Sequence, residues 1–187
     1  MNMEQNAIQK NMWNTAGKAG LILGLISAVY LFITQFLGQS EISPILSSLL
    51  AIILWTAKFA GCIWVMKMFM TGFAASHKKV DNSMTFRLGM IMSLLSAIVF
   101  AAFAFANVAF ISPELFEEQM NMTMQQMAPM MDSNALSQID SLIENLPEIT
   151  FVSNLIYCSI YGTVLSYILS RRIPSKDPFA DYKTDEQ

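Results

Sequence analysis

Long apolar runs, broken only by short or polar connections, dominate the pattern of this chain, and four of them cover approximately 16–37, 45–70, 88–110 and 151–169. Crossing hydrocarbon about 30 Å thick takes about 20 helical residues. None of the four keeps the polar face that a helix on a soluble protein turns toward water, so each is expected to face lipid. The predicted fold class is therefore all-α: one polytopic membrane domain over 1–172 with four transmembrane helices, then a flexible cytoplasmic tail over 173–187.

The stretch 111–150 has a different texture. Ser112-Pro113-Glu114 supplies an N-cap, a proline at the first helical position and an acid in the first turn. Phe116, Met120, Met124, Met127 and Met131 then recur at three or four residues, interrupted by Pro129. After Asp132 and Ser133, Leu136, Ile139, Leu142, Ile143 and Leu146 mark a second helix, expected to stop at Pro147. An extracytoplasmic helical hairpin between the third and fourth spans is the predicted form of this loop.

Charge adds an orientation. Lys10 and Lys18 precede or open the first run; His77, Lys78, Lys79 and Arg87 lie between the second and third; Arg171, Arg172, Lys176 and Lys183 follow the fourth. The connections 38–44 and 111–150 contain no Lys or Arg, and the latter carries Glu114, Glu117, Glu118, Asp132, Asp140, Glu144 and Glu148. Lys and Arg near span ends stay on the cytoplasmic side. Both termini are thus expected in the cytoplasm. The first run is longer than a signal-peptide core and lacks a small-x-small cleavage site around Phe36-Leu37-Gly38-Gln39-Ser40, so it is expected to be retained.

Composition agrees: 54% of residues are hydrophobic and 13% charged, too apolar for a soluble chain of 187 residues. The net charge of -3 conceals the asymmetry. No basic, aromatic-interleaved segment exists outside the spans, so no nucleic-acid partner is implied.

Small residues define the packing faces. Ala16, Gly20, Gly24 and Ala28 recur every fourth residue in the first span, and Gly89, Ser93, Ala97 and Ala101 do so in the third. Helices in lipid associate by close backbone approach, so Gly20, Gly24, Gly89 and Ser93 are the candidate helix-packing residues. Ser159, Gly162, Thr163 and Ser166 give the fourth span a hydroxyl-bearing side. Short connections favour packing within one protomer, and a homo-oligomer remains open.

Lys58 is the main chemical anomaly. Thirteen residues into its run, it lies about 20 Å along the helix, inside hydrocarbon. An ammonium there must snorkel, find water or find a partner. Snorkelling toward the cytoplasmic face is the first reading, and engagement of an anionic lipid group is the second. With Lys78, Lys79 and Arg87, Lys58 makes up the candidate lipid-binding set, although Lys78 and Lys79 read first as topology determinants. No Asp or Glu lies in the four cores, which argues against a proton or ion relay.

Other candidates reduce to structure. Cys62 and Cys158 differ in expected depth and read as apolar fillers. His77 lacks a second ligand at metal spacing and reads as a solvated turn residue. Gln35, Asn107 and Asn154 fall near outer span ends, where they can bond one another or cap helices. The loop's Met120, Met122, Met124, Met127, Met130 and Met131 could take Cu(I), since thioethers are soft ligands, but methionine also suits an interfacial helix, and that reading ranks first. No metal site of the usual donors and no cofactor is implied.

The Gly-rich opening span (Gly17, Gly20, Gly24), the Phe86-Arg87-Leu88-Gly89 entry after a basic turn, the Ser-Pro-Glu-Leu start of the acidic loop and a closing span ending in Arg carry a resemblance. Over Trp13 to Arg172 the chain resembles a family of small four-span bacterial inner-membrane proteins of unknown function. That resemblance implies no catalytic residues. It does imply genes lying near one for a polyprenyl-phosphate sugar transferase, hence a possible partner in envelope glycolipid metabolism.

With no nucleophile pair, general base or metal cluster in view, the expected function is non-enzymatic: binding of membrane lipids or a membrane protein partner. The alternative is a small transporter or lipid-carrier flippase subunit in which Lys58 engages an anionic head group; Cu(I) binding by the outer loop comes after it.

Overall fold

The structure, a computed structural model, describes residues 3–40, 42–77, 80–127 and 142–174. Four long helices cross back and forth: α1 (Met3–Gln39), α2 (Pro44–Ser76), α3 (Asn82–Ala106) and, after the shorter α4 (Pro113–Met127), α5 (Leu146–Arg172). Among the described residues there is no strand. All four long helices are long and apolar enough to cross a membrane. They outrun the apolar stretches: α1, with 37 residues, is about 55 Å long at 1.5 Å per residue.

Local chemistry sets the ends. Ser43 caps α2, its Oγ accepting from the Leu46 amide at 3.4 Å, and Pro44 occupies the first turn, where its missing N–H costs nothing. Asp81 caps α3 through a 2.7 Å bond from the Met84 amide. At the other end of α3 a π-helical turn, Asn107–Ile111, is closed by the Ser112 amide donating to the Asn107 carbonyl at 2.9 Å. This extra residue per turn re-aims the chain into α4.

Of the expected hairpin, the first helix and the end of the second are described: residues 142–144 are helical and Asn145 forms a turn. α4 begins at Pro113 as the proline rule requires. Pro147, expected to stop the second hairpin helix, follows its last helical residue, Glu144, and itself sits in the first turn of α5 with Glu148 beside it, so the fourth helix starts at Leu146 rather than near 151. Proline fixes φ at a helical value and blocks only the bond behind it, so it starts a helix as readily as it ends one. Residues 128–141 and the tail from 175 lie outside the described residues, and with them Met130, Met131, Leu136 and Ile139.

Two ends follow from this topology. One carries Lys10, Lys18, His77, Arg87, Arg171 and Arg172; the other carries α4 with Glu114, Glu117 and Glu118, and Glu144 and Glu148. They are called here the basic and the acidic end.

α3 is the centre of the bundle, packed along its length by α5 on one side and α1 on the other, while α2 leans chiefly on α1. The two small-residue stripes do not meet each other. Gly20 and Gly24 of α1 lie against Leu95, Ser96 and Val99 of α3, whereas Gly89 and Ser93 of α3 face Ser166 and Gly162 of α5. Hydroxyls tie the second contact: Ser166 Oγ donates to the Phe86 carbonyl at 2.9 Å, and Ser93 Oγ reaches the Cys158 and Ser159 carbonyls at 3.4 Å.

The larger apolar core gathers toward the basic half, where Leu23, Val65, Met66, Met70, Phe73, Val80, Leu88, Met92, Leu169 and Ile173 are buried together. α2 is clamped chiefly there, with Cys62 and Ile63 packed against the edge of the same core. From Val65 onward it contributes buried residues, but none of residues 45–64 is buried. Toward the acidic end it therefore stands away from α5.

Candidate functional site

The separation of α2 from α5 leaves a cleft of about 190 Å³ on the flank of the bundle. Trp55, Lys58, Phe59, Cys62 and Met66 form its α2 wall, recurring at three or four residues as one helical face must. Tyr157, Cys158, Tyr161, Gly162 and Leu165 form the α5 wall, and Ser27, Ser93 and Ser96 lie on its floor from α1 and α3.

Aromatic rings frame the mouth. Phe59 of α2 and Tyr161 of α5 approach to 5.8 Å between centroids; Trp55 stacks on Phe59 at 5.5 Å and Tyr157 on Tyr161 at 6.4 Å. Trp55 and Tyr157 remain 56% and 69% exposed, so the cleft opens sideways, toward where lipid lies.

Lys58 projects across this floor. Its Nζ sits 4.7 Å from the centroid of Tyr30 in α1 and 5.4 Å from that of Phe100 in α3. Both rings lie in the acidic half of their helices. A helical side chain leans toward its own N-terminus, and α2 starts at the acidic end, so the stem leads that way and not toward the basic end. The expected climb to cytoplasmic phosphates is thus replaced by a cradle of two π faces. Each such contact contributes about 0.5–2 kcal/mol, against a placement cost of about 2.5–3.5 kcal/mol at mid-membrane.

The remaining candidates distribute unevenly. Of the four proposed lipid-binding residues, Lys58 lines the cleft and Arg87 is exposed near the start of α3, away from it, while Lys78 and Lys79 lie outside the described residues. Cys62 and Cys158, expected at different depths, are free thiols on the walls of one cleft. His77 lies in the connection after α2, as expected for a turn residue, but is half-buried, its ring tilted 38° to that of Phe73 at 4.6 Å between centroids.

Near the acidic end, Asn107 Nδ2 donates to Gln35 Oε1 at 2.7 Å and joins α3 to α1, whereas Asn154 Nδ2 donates to the Thr150 carbonyl of its own helix at 2.8 Å. Of the methionines proposed for Cu(I), Met120, Met122, Met124 and Met127 lie on α4, whose described residues hold no His or Cys. Among the described residues no group of three or more His, Cys, Asp or Glu is placed to hold a metal.

A family model described as protein of unknown function (DUF4199) matches residues 18–171. The chain belongs to this family. The matched region of this DUF4199 protein holds all of α2, α3 and α4, most of α1 and nearly all of α5, hence every residue lining the cleft. Comparisons with curated proteins and with solved structures give no match.

What sequence reading overlooked is the pairing of aromatic faces. Trp55 and Phe59 flank Lys58 on one helical face, and Tyr157 and Tyr161 repeat the spacing in α5. A search for amphipathic aromatics one turn apart beside an intramembrane charge would have drawn them together.

Proposed function

We propose that this is a non-enzymatic integral membrane protein that takes the apolar chain of a lipid, or of a lipid-like molecule, sideways into the cleft between α2 and α5. The observation that carries this reading is Lys58: a cation held on the floor of a lipid-accessible, aromatic-framed opening. The cleft is smaller than the 300–1,000 Å³ or so of sites that enclose a whole small ligand, which suits a segment of chain with the rest left in the bilayer.

The charge asymmetry supports a bacterial inner-membrane location with the basic end in the cytoplasm. Reporter fusions at the C-terminus and within 113–127 are expected to report opposite compartments. Finding both in one compartment would refute the orientation. An envelope glycolipid, and a polyprenyl-phosphate sugar transferase as partner, fit this placement through the resemblance described above.

Replacing Phe59 with a photoreactive phenylalanine in cells tests the lipid reading. Ultraviolet irradiation is expected to yield one dominant lipid adduct by mass spectrometry there, and a mixed bulk-lipid population from the same residue at Trp64, which is 65% exposed and outside the cleft. Identical adduct profiles at both positions would count against a specific site. A second reading, a subunit that moves a lipid carrier across the bilayer, is favoured by the depth of Lys58, where an anionic head group would need a cation.

A further inference from the structure

A second polar concavity lies at the basic end, on a different part of the bundle. It has a volume of about 420 Å³ between the early turns of α1, which supply Asn11, Asn14, Thr15 and Lys18, and the last turns of α2 from Met68 to His77. Among the described residues lining it there is no Asp or Glu.

Its walls are arranged as a lipid is. Ser76, His77, Asn11 and Asn14 sit toward the end of the bundle, and Met68 and Phe69 lie deeper, beside the apolar zone. Lys18 starts deeper, but a helical side chain leans toward its own N-terminus, which for α1 is the basic end, so its ammonium returns to the polar level. His77 is already oriented. Its Nδ1 lies 3.0 Å from the Phe73 carbonyl and so carries a proton, leaving Nε2 to accept from Asn11 Nδ2 at 3.2 Å. This fixes Asn11 across the mouth, tying α1 to α2 without closing the space between them. At Gly72, on the groove wall, nothing lies within 4 Å of where a Cβ would stand, so the backbone there is open to a guest.

We propose that this groove binds the phosphate of an anionic phospholipid, with Lys18 as the cation, the Asn14 amide and Thr15 hydroxyl as neutral donors, and Met68 and Phe69 against the first part of the acyl chain. An ammonium with amide and hydroxyl donors and no competing carboxylate matches a phosphodiester, and the apolar floor selects one that carries a chain. This site is separate from the cleft, so either can fail alone.

The test uses the full chain purified in neutral detergent and titrated with phosphatidylglycerol, phosphatidylcholine or inorganic phosphate, with bound species counted by native mass spectrometry. Phosphatidylglycerol is expected to be retained in preference to phosphatidylcholine, and Lys18→Met to weaken that retention about five- to tenfold. Arg172→Gln, at the same end but outside the groove, should leave it unchanged. Asn14→Leu, which keeps the charge, should weaken it about two- to fivefold, and circular dichroism should show unchanged helix content in each variant. Equal retention by wild type and Lys18→Met, or equal loss in Arg172→Gln, would overturn the site. Displacement of the lipid by equimolar inorganic phosphate would overturn the lipid assignment in favour of a free-anion site.

Discussion

Replacing Gly89 with alanine is expected to destabilise the bundle by about 1–3 kcal/mol, the range for inserting a methyl into a filled interface. A Cβ at this position would come 2.9 Å from Ser166 Cβ and closer still to Ser166 Oγ, with Met66 Cε behind it at 3.1 Å. Met66 can move, but Ser166 is held by its bond to the Phe86 carbonyl on α3 itself. The two helices must therefore separate. Gly162→Ala should behave alike, since its Cβ would meet Ser93 Cβ at 2.6 Å.

The same change at Gly17 or Gly61, where nothing lies within 4 Å, should be neutral or stabilising by up to about 1 kcal/mol, as helix propensity alone would have it. Adding Ser166→Gly to Gly89→Ala restores room but removes the hydroxyl bond, worth about 0.6 kcal/mol in a membrane, and so should recover most of the loss. Unfolding midpoints in detergent, followed by circular dichroism, measure all of these. Equal shifts at Gly61 and Gly89 would show that close approach is not what joins α3 to α5.

Lys58→Met carries the second large effect, and it separates stability from binding. The cation's placement cost of about 2.5–3.5 kcal/mol is largely offset by two ring contacts of about 0.5–2 kcal/mol each, so the variant should stay within about 1 kcal/mol of wild type. The dominant lipid adduct at position 59 should vanish. A double-mutant cycle exposes the cradle: replacing Tyr30 and Phe100 together with leucine should cost about 1–3 kcal/mol more with Lys58 present than with methionine in its place. Additive effects would mean the rings do not support the ammonium. An unchanged adduct profile in Lys58→Met would remove Lys58 from the site.

Much of this architecture is legible from residue order because lipid imposes one rule, that backbone polar groups be satisfied within the helix, and an apolar run of sufficient length has few other options. Runs and end charges follow directly. Partners do not: the stripe at Gly20 and Gly24 specifies a flat face but not whether Val99 or Ser93 comes to meet it. The start of α5 was hidden because Pro147 is compatible with either end of a helix. Lys58 stood out by chemistry alone, yet its surroundings depend on Tyr30 and Phe100, 28 and 42 residues away in the chain, and no periodicity within a single helix reports them. The basic-end groove was missed for a similar reason. His77 looks wholly solvated until Asn11, 66 residues earlier in the chain, is placed against it.

α2 resembles a cantilever, fastened over one half and free over the other. Spreading its free arm displaces no fully buried side chain of α2, only the partly exposed contacts of Lys58 with Tyr30 and Phe100 and of Phe59 with Tyr161, so a bulkier guest demands little work from the clamped half. Drift among positions 45–64 can retune which guest is admitted while the anchorage goes untouched, separating what the protein holds from how it holds itself together.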